Sequence, residues 1–170
     1  LYVSTHQFPY YPGTGDFDEA GVGRGLGTTL NVPMPAGCGD AEYVGAVQRI
    51  VAPAARWFRP EAILVSCGFD AHRDDPLAAM EVSQEGFLAL ASIVRRLADE
   101  LCGGRLVFAL EGGYAPSGLT EGTAAVLEAA LRPTPYDVNP VDAPAGSVLR
   151  QLVGAAAAVH GRRIPDLGAA

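Results

Sequence analysis

The chain of 170 residues lacks the features of several common protein classes. No apolar stretch approaches the roughly 20 residues that a membrane-spanning helix needs. The basic residues are scattered and the formal net charge is -7, so we expect no direct contact with nucleic acid. The first residue is not methionine and no basic region follows it, which argues against a signal peptide. These absences favour a cytoplasmic protein that does not bind membranes.

Motifs of nucleotide-binding and serine-hydrolase sites are also absent. The glycines between residues 21 and 27 alternate, whereas the dinucleotide-binding fingerprint is G-x-G-x-x-G between a strand and a helix. No G-x-S-x-G elbow occurs, which weighs against a serine hydrolase. The three cysteines lie far apart without C-x-x-C spacing, so we expect reduced thiols and neither a structural zinc cluster nor a redox pair.

The most informative segment follows a short apolar run at residues 62–65. This run has the character of a buried strand, and Asp70 stands shortly after its end. Ligands of open α/β sheets bind at the carboxyl ends of the strands, so a carboxylate in this place is a candidate for chemistry. A turn or helix-capping aspartate is the alternative, because Asp is common where a strand meets a loop.

A second apolar run, residues 105–110, ends in paired glycines followed by Tyr114. Paired glycines permit a backbone path that few other residues could follow. Between the two runs, residues 83–101 carry apolar side chains at helical spacing, with Ser83 as the predicted N-cap. Strand, helix and strand predict a parallel crossover. We therefore expect Tyr114 and Asp70 at the same edge of one sheet.

The remaining segments are predicted from apolar periodicity and from the positions of prolines alone. Prolines are frequent just beyond residue 132 and indicate a linker there. The predicted elements are a strand over residues 28–32, a helix over 41–58 that Pro53 either bends or ends, and helices over 118–131 and 147–160.

Five segments follow one another along the chain: Ser4-Thr5-His6-Gln7, Tyr10-Tyr11-Pro12-Gly13-Thr14-Gly15, Asn31-Val32-Pro33, Gly68-Phe69-Asp70-Ala71 with Asp75-Pro76-Leu77, and Glu111-Gly112-Gly113-Tyr114. In this order they resemble the motifs of the zinc-dependent histone deacetylases. The resemblance is greatest to the bacterial, class II-like members, a group that includes acetylpolyamine amidohydrolases, and it extends from residue 1 to about residue 132.

The resemblance implies an arginase/deacetylase-like fold, a three-layer α/β/α domain with a mostly parallel sheet. It covers only the carboxyl-terminal part of that domain, so we expect the N-terminal half to be missing. That half carries the family's two adjacent catalytic histidines and an Asp-x-His motif with two zinc ligands. This chain has no adjacent histidines, and its one Asp-x-His triplet, residues 70–72, belongs to the Gly68-Phe69-Asp70-Ala71 motif instead. We divide the chain into a deacetylase part (1–132), a proline-rich linker (133–146), and a short helix and tail (147–170).

Two catalytic roles follow from the resemblance. Asp70 would be the third zinc ligand, since carboxylate oxygens are common ligands of catalytic zinc. Tyr114 would donate a hydrogen bond to the oxyanion, because a phenol stays protonated at neutral pH. A core tyrosine beside a glycine turn is the alternative for Tyr114.

The resemblance also assigns residues around these two. The glycines would line the floor of the substrate channel and two apolar side chains its walls, while a hydroxyl would contribute to a site for a monovalent cation, usually potassium. His6 resembles a family histidine that lies off the zinc ion. The assigned residues are Gly112 and Gly113 for the floor, Tyr11 and Leu77 for the walls, and Ser4 for the cation.

The function implied is zinc-dependent hydrolysis of the acetyl amide of acetyl-lysine or an acetylpolyamine. The acidic charge would suit such cationic substrates. We expect this chain alone to be inactive, because one zinc ligand cannot hold a catalytic ion. Two alternatives remain: a non-catalytic remnant that binds acetylated ligands or a partner, and an arginase-type enzyme with two manganese ions, which would need a second carboxylate from Asp74 or Asp75. The sequence does not indicate an oligomeric state.

Overall fold

The structure is a computed structural model and describes residues 1–168. Residues 169 and 170, at the end of the predicted tail, lie outside the described residues. None of the helices in the described part of the chain has the length and apolar character needed to cross a bilayer. The elements are β1 (Tyr2–Gln7), β2 (Thr29–Met34), α1 (Asp40–Ala46), α2 (Ala52–Phe58), β3 (Ile63–Cys67), α3 (Gln84–Cys102), β4 (Leu106–Leu110), α4 (Pro116–Leu131) and α5 (Val148–His160).

The strands form two parallel pairs, β1 with β2 and β3 with β4. The second pair confirms the predicted crossover, because α3 connects β3 to β4. Cys67 pairs with Leu110, so the two strands end side by side. Within residues 1–168 the expected parallel sheet thus consists of two separate pairs.

The two faces of the β3–β4 pair have different surroundings. Cys67 and Phe108 point to the covered face and pack against the main core. On the other face Leu64 and Val107 are register partners and are 78% and 56% exposed. Among the described residues, the three-layer arrangement implied by the resemblance is therefore incomplete on this face.

The helix predicted over residues 41–58 is continuous but contains a π-helical stretch, Val47–Val51, between α1 and α2. Pro53 does not end it. Proline has no N–H to donate to the carbonyl four residues earlier. That carbonyl, of Arg49, instead accepts a hydrogen bond from the N–H of Gly168 at 3.2 Å. The carboxyl-terminal end of the described chain thus completes the backbone bonding of this helix.

Serine hydroxyls begin two of the helices. Ser83 caps α3 as predicted, its Oγ accepting from the N–H of Gly86 at 3.2 Å. Ser147 caps α5 in the same way, accepting from the N–H of Arg150 at 3.2 Å. Such caps satisfy backbone donors that have no partner within the helix.

The segment between α4 and α5, predicted as a linker, is hydrogen-bonded to the helices beneath it. Arg96 donates to the carbonyl of Tyr136 at 2.7 Å. The N–H of Val141 donates to Gln48 Oε1 at 2.9 Å. α5 then contacts β2 and α1. The buried apolar side chains that α5 adds to the main core are Leu149, Leu152, Val153 and Ala156.

Candidate functional site

The loops that follow β3 and β4 are bonded to each other. The N–H of Glu111 donates to the carbonyl of Cys67 at 3.2 Å, and the N–H of Phe69 donates to the carbonyl of Gly112 at 2.9 Å. Phe69 is 2% exposed and anchors the first loop in the core. The loops that carry Asp70 and Tyr114 are therefore neighbours at one edge of the β3–β4 pair.

The carboxylate of Asp70 lies against the glycines of both loops and is exposed to solvent. A Cβ added at Gly112 would lie 3.0 Å from Asp70 Oδ2, and one added at Gly68 would lie 3.4 Å from Oδ1. Desolvation by the surrounding loops raises the pKa of Asp70, and the nearby charge of Asp75 raises it further, although backbone N–H groups oppose both effects. A carboxylate with a disfavoured negative charge gains from a cation placed beside it.

Gly113 gives the second loop its sharp path towards Tyr114. Its φ is 125°, a value that side-chain-bearing residues rarely adopt. A Cβ at this position would also lie 3.1 Å from Phe69 Cβ and from Leu119 Cδ2. Tyr114 is 57% exposed, so this residue is open to solvent at the edge of the strand pair.

Asp75 connects the two loops through its buried carboxylate, which is 7% exposed. Its Oδ1 accepts from the N–H groups of Leu77 at 2.9 Å and Ala78 at 3.1 Å, and its Oδ2 accepts from the N–H of Tyr114 at 2.8 Å. Burial alone would raise the pKa of Asp75, but these backbone donors and that of Ala115 outweigh it and hold the pKa below its ordinary value. From the sequence, Asp75 was considered only as a second metal-binding carboxylate. Its role as an acceptor for the backbone was not predicted, because a carboxylate bound by backbone groups has no spacing signal.

The next polar residues also have internal partners. His72 is 1% exposed, and its Nδ1 accepts from the N–H of Asp74 at 3.1 Å. Its Nε2 therefore carries the proton and donates to Glu121 on α4 at 3.0 Å. Asp74 accepts from the hydroxyl of Ser117 at 3.0 Å. With Asp75 bound by backbone donors, the described residues do not support the second metal-binding carboxylate of the arginase-type alternative.

The predicted channel walls come from different loops. Tyr11 follows β1 and is 91% exposed, and Leu77 follows β3 and is 56% exposed. The hydroxyl of Tyr10 donates to the carbonyl of Leu77 at 2.8 Å. The N–H of Ala79 donates to Gln7 Oε1 at 2.9 Å, so a second bond joins the same loops. Tyr10, omitted from the predicted site, thus links the segments of both walls.

Ser4 lies on β1, in the other strand pair from the one that carries the Asp70 loop. Its hydroxyl is 2.9 Å from His6 Nδ1, and His6 Nε2 is 3.0 Å from the carbonyl of Gly15. Because a carbonyl only accepts, Nε2 is the donor and Nδ1 accepts from Ser4. His6 is thereby held by its neighbours in the β1 region.

A catalytic zinc site needs about three protein ligands with nitrogen, sulfur or oxygen donors. Within residues 1–168 no group of three His, Cys, Asp or Glu side chains is arranged to hold a metal ion. Asp70 has the donor type and the exposure that a zinc ligand requires. The described residues therefore fit one ligand of a zinc site and do not fit a whole ligand set.

The sequence matches a known domain and known proteins. The profile of the histone deacetylase domain matches residues 1–130. The chain is 48% identical over 131 residues to "Histone deacetylase 10, chloroplastic" of Oryza sativa subsp. japonica, covering 77% of this chain and 30% of that protein. It is 46% identical over 117 residues to "Histone deacetylase-like amidohydrolase" of Pseudomonas aeruginosa, covering 67% of this chain and 30% of that protein. The chain thus spans less than a third of the length of these relatives.

Solved structures show the same fold. The HD domain of HDA15 aligns with a TM-score of 0.83 and 33% identity, over 98% of this chain and 45% of that one. The histone deacetylase Clr3 aligns with a TM-score of 0.86 and 29% identity, over 98% of this chain and 28% of that one. These likenesses confirm the arginase/deacetylase-like α/β fold that the five motifs implied. With the domain match over residues 1–130, they show that the chain belongs to the histone deacetylase family.

Proposed function

We propose that this chain forms the carboxyl-terminal part of a zinc-dependent deacetylase site that hydrolyses the acetyl amide of acetyl-lysine or an acetylpolyamine. The observation that carries the proposal is the pair of bonded loops with Asp70, Gly112 and Tyr114 at one strand edge. Because the chain covers only 30% of the rice relative, the activity is proposed for a complete deacetylase domain and not for these residues alone.

In this proposal Asp70 supplies one carboxylate ligand, and residues outside this chain supply the other ligands and the general base and acid. A zinc ion with an open coordination position polarises a carbonyl and activates water. The loops leave the carboxylate of Asp70 exposed, as a ligand shared with another part of the protein must be.

Tyr114 supplies the hydrogen-bond donor for the oxyanion that develops on the acetyl carbonyl. A donor placed where charge develops stabilises the transition state more than the ground state. The accessible side chain and the fixed backbone N–H of Tyr114 support this role. Gly112 and Gly113 form the channel floor, where a side chain at Gly112 would press on Asp70.

Tyr11 and Leu77 form the channel walls in this proposal. Both are exposed apolar side chains, and the methylene chain of an acetyl-lysine or acetylpolyamine gains free energy by leaving water against them. A monovalent cation at Ser4 is a separate proposal. It is compatible with donation from the Ser4 hydroxyl to His6, which leaves the oxygen lone pairs to face a cation.

The second candidate is a non-catalytic protein that binds acetylated ligands or a partner without metal. The observation in its favour is that Tyr11, Leu77 and Tyr114 are exposed and available to contact an acetylated ligand whether or not a metal is bound. It differs from the first candidate in one measurable property, the zinc content of the complete domain.

The deciding experiment measures zinc content and turnover of a fluorogenic acetyl-lysine substrate by the protein extended to a complete deacetylase domain. We expect about one zinc ion per chain. Tyr114→Phe should retain zinc and lower kcat by about 100- to 1000-fold, because it removes the oxyanion donor. Asp70→Ala should lose both zinc and turnover.

Tyr2→Phe is the matched control, because Tyr2 is an exposed tyrosine on β1, and it should change neither quantity. The 170-residue chain alone should be inactive. A metal-free, silent complete domain would favour the non-catalytic candidate. Zinc-dependent turnover by the 170-residue chain would show that it needs no ligands from elsewhere.

A further inference from the structure

We propose that Asp75 is a positioning residue that holds Tyr114 and the Leu77 wall in one fixed arrangement. This inference rests on the proposed function, because it concerns how the oxyanion donor and the substrate channel are kept in place. Asp75 does not touch the substrate in this proposal and acts through the backbone of both residues.

The hydrogen bonds of Asp75 divide between the two loops. Oδ1 binds the N–H groups of Leu77 and Ala78 in its own loop, at 2.9 and 3.1 Å. Oδ2 binds the N–H of Tyr114, which is 39 residues away along the chain, at 2.8 Å. One rigid carboxylate therefore sets the distance between the β3 loop and the first residue after the glycine pair.

The same connection extends to the loop after β1. Leu77 donates its N–H to Asp75 and accepts the hydroxyl of Tyr10 on its carbonyl at 2.8 Å. Tyr10 precedes Tyr11, the other proposed wall. Three loops that are distant in sequence are thus joined through residues 75–77. Asp75 connects the proposed channel wall to the proposed oxyanion donor.

A carboxylate is the side chain that this position requires. The backbone N–H groups of residues 77, 78, 114 and 115 converge on two acceptor oxygens. An asparagine offers one oxygen and an NH2 group that is itself a donor. In Asp75→Asn, therefore, either the N–H of Tyr114 or the N–H groups of Leu77 and Ala78 lose their acceptor. An unsatisfied buried donor is costly, so the loop is expected to shift and carry Tyr114 with it. A displacement of about 1 Å from productive geometry costs on the order of 100-fold in rate.

The kinetic test uses the complete deacetylase domain. Asp75→Asn should lower kcat by about 10- to 100-fold while zinc content stays at the wild-type level. Asp74→Asn is the matched control: it alters the adjacent, exposed carboxylate that binds Ser117, and it should leave kcat unchanged. In a Tyr114→Phe background, Asp75→Asn should add little, because the donor that it positions is already gone.

Amide hydrogen exchange gives a readout that does not depend on activity. The N–H of Tyr114 should be protected in the wild-type domain although the side chain is exposed. Exchange over residues 112–115 should become faster in Asp75→Asn and not in Asp74→Asn. If Asp75→Asn does not fold, the wild-type measurement still decides, because an unprotected Tyr114 amide overturns the inference.

Three further results would overturn it: full additivity of Asp75→Asn with Tyr114→Phe, unchanged exchange over residues 112–115, or loss of zinc in Asp75→Asn. Failure of the proposed function and failure of the Asp75 inference give different results. A silent wild-type domain removes the proposed function and this inference together. An active domain that is impaired by Tyr114→Phe but indifferent to Asp75→Asn removes the inference alone.

Discussion

At the scale of single residues, the backbone conformation of Gly113 limits which side chains the loop after β4 can accept at this position. Gly113→Ala places a Cβ at φ 125° and within 3.1 Å of two side chains. We expect it to lower the free energy of unfolding by about 1 to 3 kcal/mol, from backbone strain and crowding together. Urea unfolding of the complete domain measures this.

The control for this prediction is another glycine-to-alanine change, Gly154→Ala in α5. Gly154 has a helical environment and no atom within 4 Å of an added Cβ. This change should raise the free energy of unfolding by up to about 1 kcal/mol, because alanine is the better helix former. Equal effects of the two changes would contradict a special backbone requirement at Gly113.

Single residues also show where sequence reasoning reaches its limit. Asp70 and Tyr114 were predicted as neighbours because each follows an apolar run, and parallel strands present such residues at one edge. The bond from His72 to Glu121 joins residues 49 apart, and that from Tyr10 to Leu77 joins residues 67 apart. Neither apolar periodicity nor motif spacing indicates which residues far apart in sequence form hydrogen bonds, so these contacts were not predicted.

At the scale of elements, α5 is part of the main core although it lies beyond the matched domain of residues 1–130. Leu149 is 2% exposed and packs so closely on Gly45 of α1 that a Cβ there would collide with it. We expect Leu149→Ala to lower the free energy of unfolding by about 2 to 5 kcal/mol, from lost burial and the cavity left behind. Denaturant unfolding of the complete domain measures the change.

Leu131→Ala is the control, since Leu131 is a helical leucine that is 80% exposed. Its effect should lie within about 0.5 kcal/mol of zero. If Leu149→Ala were equally mild, α5 would be an accessory helix and not a structural part of the domain.

The helices and strands themselves were largely predictable. Apolar spacing and the Ser83 cap gave α3 to within one residue at each end. The π-helical stretch Val47–Val51 was missed, because an extra residue in a turn does not change the apolar stripe enough to be seen. The bond from Gly168 to the carbonyl that Pro53 leaves free depends on tertiary packing.

At the scale of the whole molecule, the uncovered face of the β3–β4 pair is the clearest surface feature. Leu64 and Val107 lie side by side on it and are 78% and 56% exposed. Adjacent exposed apolar side chains on a short sheet favour association. We expect the isolated 170-residue chain to self-associate, and the double change Leu64→Ser with Val107→Ser to reduce this, in sedimentation measured over a range of concentrations.

The control is Leu127→Ser with Leu131→Ser, which removes two exposed leucines from α4 and should leave association unchanged. In the complete domain the β3–β4 double change should instead lower stability, because we expect the rest of the domain to cover this face. An isolated chain that stays monomeric at all concentrations would contradict the prediction.

The sequence by itself determined the family, the parallel crossover and the placement of Asp70 and Tyr114 at one edge, because ordered motifs and apolar periodicity are local properties of the chain. Tertiary structure alone decided that Asp75 binds the Tyr114 backbone, that Tyr10 joins the β1 loop to Leu77, and that α5 belongs to the core. It also decided which face of β3–β4 is left open. These features depend on hydrogen bonds and packing between residues far apart in sequence, and such contacts exist only once the chain has folded.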